Sequence, residues 1–165
     1  MNPDDLIRRA IERVQEPRFF RTERGYQGAL AAQMTAILAN DAVWPGNPIV
    51  EEEYQKRACE HGLKLRPDII VHIPFGRPGM TDRTKGNYLV LGLKLAADRT
   101  TAVVDFQKLV RICDALKYAN AVFINVASHE LFLPSYQLPQ PRAYSFREFS
   151  VSLNCGRVAV QSFMA

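Results

Sequence analysis

No stretch of the 165-residue chain approaches the roughly 18–20 consecutive apolar residues that a membrane-crossing helix requires. The opening "MNPDDLIRRAIERVQE" is charged throughout and lacks the apolar centre of a secretory signal. A cytoplasmic location without membrane association is therefore expected. Cysteine is scarce: Cys59, Cys113 and Cys155 are far apart, odd in number and in no CxxC pairing. That pattern argues against a zinc site or a disulfide framework and reads as buried or half-buried free thiols. A glycine-rich phosphate loop, a metal-binding histidine pair and a serine or cysteine nucleophile motif are also missing. No internal repeat or low-complexity tract occurs. Nor is there a large excess of one charge: the net +4 permits a nucleic-acid partner without requiring one.

What remains has the composition of one ordinary globular domain, with a hydrophobic fraction of 47% that is ample for a core. A single domain over 1–165 is expected. Leu6, Ile7, Ile11 and Val14 recur at helical spacing before Pro17. A second helix is predicted from Thr22, as N-cap, to about Asn40, with Tyr26, Leu30, Met34, Ile37 and Leu38 as its apolar stripe. Three β-strands follow: "PIVEEEYQ", "LKLRPDIIVHIP" and "NYLVLGLKLA". The last two flank the turn-rich "FGRPGMTDRTKG", which predicts an antiparallel meander. Val103, Phe106, Leu109, Val110, Cys113 and Leu116 predict a third helix, and "AVFINVA" a buried strand suited to parallel pairing. The tail reads as a hairpin around Asn154-Cys155-Gly156.

Two residues disturb this pattern. Gly92 and Lys94 share one face of the third strand, where a glycine packs nothing and a lysine needs a polar neighbour. Asp68, after Pro67, stands at the start of the preceding strand and shares a face with Ile70 and His72. If those strands pair, its carboxylate approaches the Lys94 ammonium. A bulge at Gly92 with Lys94 reaching solvent is the plain structural alternative.

The Pro-Asp pair, the hairpin-length gap and the residue-x-Lys in an apolar strand resemble the PD-(D/E)xK nuclease superfamily. The resemblance implies an α/β fold with a restriction-endonuclease-like core of helix, three antiparallel strands, helix and strand. That core would run from about Thr22 to Val126, with an N-terminal helix and a C-terminal β-hairpin outside it. It implies a metal-dependent DNA phosphodiester hydrolase using Mg²⁺ or Mn²⁺. Asp68 and the main-chain carbonyl of Leu93 would bind metal, and Lys94 would orient or activate the attacking water. A glutamate on the preceding helix joins the metal site in many members, a ligand role that would fall on Glu23. Glu23 fits that place because it shares a helical face with Tyr26, Gln27, Leu30 and Met34; otherwise it is only the first exposed turn. Glu51, Glu52 and Glu53 are rival carboxylates, or a solvated edge.

Gly92 occupies the position of the motif acid. Its lack of a carboxylate predicts a weakened metal site and an impaired or inactive enzyme. Arg66, Arg77, Arg83, Lys85, Gln107 and Lys108 are candidate phosphate contacts. A homodimer is compatible with cutting two strands. Two further readings stay open: a catalytically dead fold that binds nucleic acid or protein, and an interaction module using the terminal hairpin as an exposed edge.

Overall fold

The computed structural model describes residues 3–40, 46–52, 64–77, 82 and 84–165. Among these residues, three helices and six strands follow in the order α1 (Pro3–Arg13), α2 (Glu23–Asn40), β1 (Ile49–Glu52), β2 (Ile69–His72), β3 (Asn87–Leu95), α3 (Arg99–Leu116), β4 (Asn120–Val126), β5 (Ser145–Asn154) and β6 (Arg157–Met164). A 3₁₀ turn at Pro17–Arg21 links α1 to α2. Thr22 caps α2 as expected, its Oγ1 accepting from the Gly25 N–H at 3.1 Å. Asp98 does the same for α3 through the Thr101 N–H.

All strands belong to one sheet, in the order β1-β2-β3-β4-β5-β6. β1, β2 and β3 pair antiparallel. β3, β4 and β5 run parallel, with α3 as the crossover between β3 and β4. β6 returns antiparallel on β5. The mixed α/β class is as read, but the sheet order differs from the expected three antiparallel strands with one strand added. The C-terminal hairpin is no appendage: β5 lies beside β4, with Phe146, Phe149 and Val151 fully buried. The second strand is also shorter than expected, since 64–67 have no strand structure. β1 ends at Glu52, and the rest of its predicted span lies outside the described residues.

Helices cover both faces, so β3 and β4 read as almost continuous apolar runs. On one face α1 and α2 pack Leu6, Ile7, Tyr26, Leu30 and Met34 against Ile69, Leu91, Ile124 and Phe149. On the other, α3 packs Phe106, Leu109 and Ile112 against Ile70, Val90, Phe123 and Phe146. Phe106 meets Phe123 and Phe146 edge-on at 5.1 and 5.5 Å. Among the described residues, no helix is long and apolar enough to cross a membrane. Cys113 is buried, with its thiol pushed up to about 12 by burial and then by the charge of Asp114. Cys155 is exposed, contrary to expectation. Cys59 lies outside the described residues.

Glu148 on β5 is fully buried, opposite Phe123 and Phe163 on its flanking strands. Its Oε2 accepts from the N–H groups of Phe132 and Leu133 at 2.8 and 2.6 Å, while Oε1 has no hydrogen-bond partner. Burial raises this carboxyl from 4.5 to about 7, against the pull of those two N–H groups. Between these values the unfolded chain has released the proton and the folded chain still holds it. This group therefore makes stability fall as pH rises from about 4.5 to 7. Denaturant unfolding is expected to show Glu148→Gln abolishing that part of the slope, a difference on the order of 2–3 kcal/mol across the window. Parallel curves for the two chains would contradict the assignment.

Candidate functional site

Asp68 immediately precedes β2, and Lys94 lies near the end of β3. Because the two strands are antiparallel, both residues sit at one end of the sheet, the carboxyl end of the parallel strands. Ligands of open α/β sheets bind at such ends. The register pairs Ile69 with Leu91 and Ile70 with Val90, which continued by one residue sets Asp68 opposite Gly92. Side-chain positions agree: a Cβ built on Gly92 would lie 3.8 Å from Asp68 Oδ2 and 3.5 Å from Leu109 Cδ1. These are ordinary contact distances, so the position accepts a Cβ on the face that Asp68 and α3 share. Gly92 has an extended strand backbone with fully formed pairing to Phe123. A bulge at Gly92 is thus excluded.

Asp68 is fastened from two sides. Its Oδ2 accepts from the Leu93 N–H at 2.7 Å, and its main-chain carbonyl accepts from Gln27 Nε2 at 2.9 Å. Gln27 is itself buried on α2, so α2 holds the backbone that aims the carboxylate. Burial raises the Asp68 pKa most; the Leu93 N–H, Lys108 and Lys94 oppose that rise, and Glu23 adds to it. Leu93 thus meets Asp68 through its amide.

Lys94 is gripped by both helical layers. Its Nζ donates to Glu23 Oε1 at 2.9 Å, at the start of α2. It also lies 3.8 Å from Asp105 Oδ2, in the second turn of α3. Asp68 acts on Lys94 through space and makes no ion pair with it within 4.0 Å. Burial works to lower the Lys94 pKa. The Glu23 hydrogen bond and the charges of Asp105, Glu23 and Asp68 outweigh it, and the pKa is raised. The charged ammonium is therefore favoured over the neutral amine.

Asp105 was missed by the sequence reading. It is 5% exposed, and its Oδ2 has no hydrogen-bond partner. Burial raises its pKa most; Lys94 and then Lys108 lower it, and Asp68 and Glu23 raise it. Its signal was present: Ala102, Asp105, Phe106 and Leu109 share the buried face of α3, where an acid has no reason to be unless a cation meets it. Gly92 thus leaves Lys94 with more anionic company than expected.

The other candidates separate by position. Lys108 is half-buried and its charge reaches both Asp68 and Asp105; Gln107 is exposed on the same helix. Arg66 is exposed just before Asp68. Arg77 and Lys85 belong to the loop at the opposite end of β3, about 20 Å away at the rise of a strand. There Arg77 donates to the Asn47 carbonyl at 2.6 Å. Arg83 and Glu53 lie outside the described residues. Glu51 is engaged by His72, with Nε2 and Oε2 2.7 Å apart, and so is no free rival carboxylate. Among the described residues, no group of three or more His, Cys, Asp or Glu side chains is arranged to hold a metal.

Replacing Asp105 by Asn removes an anion from beside Lys94, and adding Glu23→Gln removes the hydrogen-bonded one. NMR titration of the lysine side chains is expected to show the Lys94 pKa falling in the single variant and further in the double variant. An unchanged value would mean that neither carboxylate holds the ammonium. Comparison of the chain with family models, with curated proteins and with solved structures found no match in any of the three.

Proposed function

We propose that the chain is a PD-(D/E)xK-type nuclease scaffold, with a restriction-endonuclease-like core, acting on the phosphodiester backbone of DNA with weakened metal-dependent chemistry. The observation supporting this reading most is the shared face of Asp68, position 92 and Lys94, where a Cβ at position 92 would meet Asp68 and Leu109 at ordinary contact distance. Asp68 and Asp105 are the carboxylates available to a divalent cation. Two suffice at the minimum, because Mg²⁺ commonly takes one or two carboxylates and fills its octahedron with water and substrate phosphate. Asp105 Oδ2, which faces Lys94 at 3.8 Å and accepts no hydrogen bond, fits that use. When bound, such a cation supplies Lewis acidity and a more acidic water.

The protein's own groups do the rest. The Leu93 N–H and Gln27 keep Asp68 oriented. Lys94, kept protonated by its anionic neighbours, stabilises negative charge developing on the phosphate oxygens. Glu23 positions the ammonium through its 2.9 Å hydrogen bond. The same bond favours a second reading, a scaffold that binds nucleic acid or protein elsewhere on its surface without cutting, since it occupies the ammonium a reacting phosphate would need.

Plasmid nicking with Mg²⁺ or Mn²⁺ separates the two. Gly92→Glu is expected to raise the rate on the order of a hundredfold, the scale of one electrostatic group in an active site. Gly92→Glu with Asp68→Ala is expected to lose that gain. No cleavage of any DNA or RNA by a folded Gly92→Glu chain would contradict the nuclease reading.

A further inference from the structure

Beside the site, "EPRFFRTER" carries Arg18, Arg21 and Arg24 at intervals of three residues. Pro17–Arg21 is a 3₁₀ turn, in which residues i and i+3 eclipse, so Arg18 and Arg21 stand on one side about 6 Å apart along the axis. Arg24 follows in the first turn of α2, next to Glu23. All three are exposed. None makes an ion pair or hydrogen bond with a described residue; the Arg18 guanidinium lies over its neighbour Phe19, 4.8 Å from the ring centre. Arg8, Arg77, Arg99 and Arg147, by contrast, are committed to Ser162, Asn47, Ser135 and Asp4.

The base of this turn is packed against the core. Phe19 and Phe20 pack partly buried against the core, and Phe20 meets the fully buried Tyr26 edge-on at 5.2 Å. Of the two acids in this stretch, Glu23 is engaged by Lys94, and Glu16 is exposed ahead of the turn. Three uncommitted guanidiniums on a packed support, within a few residues of the site, match a partner with repeated negative charges. A phosphodiester strand is such a partner.

We propose that Arg18, Arg21 and Arg24 form a backbone-binding track that seats one nucleic-acid strand beside Asp68 and Lys94. This rests on the nucleic-acid reading above and adds to it the surface that engages the strand. Such contacts set position and carry no sequence information. Lys108, whose charge reaches both Asp68 and Asp105, would meet the strand at the centre itself.

The test is fluorescence anisotropy of the full chain with labelled duplex DNA, single-stranded DNA and duplex RNA, without divalent metal, across a range of salt. Replacing Arg18, Arg21 and Arg24 together by Ala is expected to reduce the slope of log K against log salt by nearly 3 on duplex DNA, at about 0.9 per phosphate contact. Replacing all three by Lys keeps the slope. Replacing Arg111, Lys117 and Arg142 by Ala also leaves it unchanged, and the three substrates reveal which nucleic acid is preferred. Binding with the same slope in the Arg-to-Ala chain overturns the track and leaves the nuclease reading standing. Absence of binding to all three probes overturns the track as well. A reduced slope, together with no cleavage by Gly92→Glu, upholds the track in a non-cutting binder.

Discussion

The ammonium of Lys94 joins three elements at the carboxyl end of the parallel strands. It projects from β3, accepts the attention of α2 through Glu23 and of α3 through Asp105, and so ties the two helical layers across the strand edge. A half-buried cation costs stability unless anions meet it. Here the compensation is large enough to raise its pKa despite burial. The converse also holds: Asp105 and Asp68, both raised chiefly by burial, are kept from rising further by the same cation. The site is therefore one coupled electrostatic unit, in which altering any member changes the protonation of the others.

The sheet supports this unit through polar groups that look misplaced in isolation. Asn125, fully buried on β4 and level with Lys94, accepts from the Ala97 N–H at 2.8 Å and donates to its carbonyl at 3.3 Å. It thereby pins the turn that launches α3 and brings Asp105 to Lys94. Ser150, next in that row on β5, donates to the Ser128 carbonyl at 2.6 Å. Buried polar groups are acceptable when every partner is supplied locally, and here they fasten the loops at the carboxyl ends of the strands.

Much of this was legible in the chain. Strand periodicity is two, so Gly92 and Lys94 had to share a face, and Pro67 marked where Asp68 would stand. Helix periodicity with Thr22 as cap placed Glu23 at the head of α2. Other parts were hidden by tertiary effects. Asp105 lay within an apolar stripe that was read for its Phe and Leu residues; only packing against β3 shows that an acid there has a cation to meet. Glu148, Ser150 and Ser152 made β5 look half-solvated, whereas it is an inner parallel strand whose polar side chains serve adjacent backbone or His129. Arg77 and Lys85 could have been set aside at once, because a hairpin loop lies at the end of the strands opposite Asp68.

The claim that Asp68 and Asp105 together face a site for a divalent cation is tested most directly by Mn²⁺-induced line broadening in the NMR spectrum of the unmodified chain. Selective broadening of the amides around 68, 92–94 and 105 at substoichiometric metal is the predicted result. Broadening centred on Glu51 and His72, or none above that of exposed carboxylates generally, would contradict it.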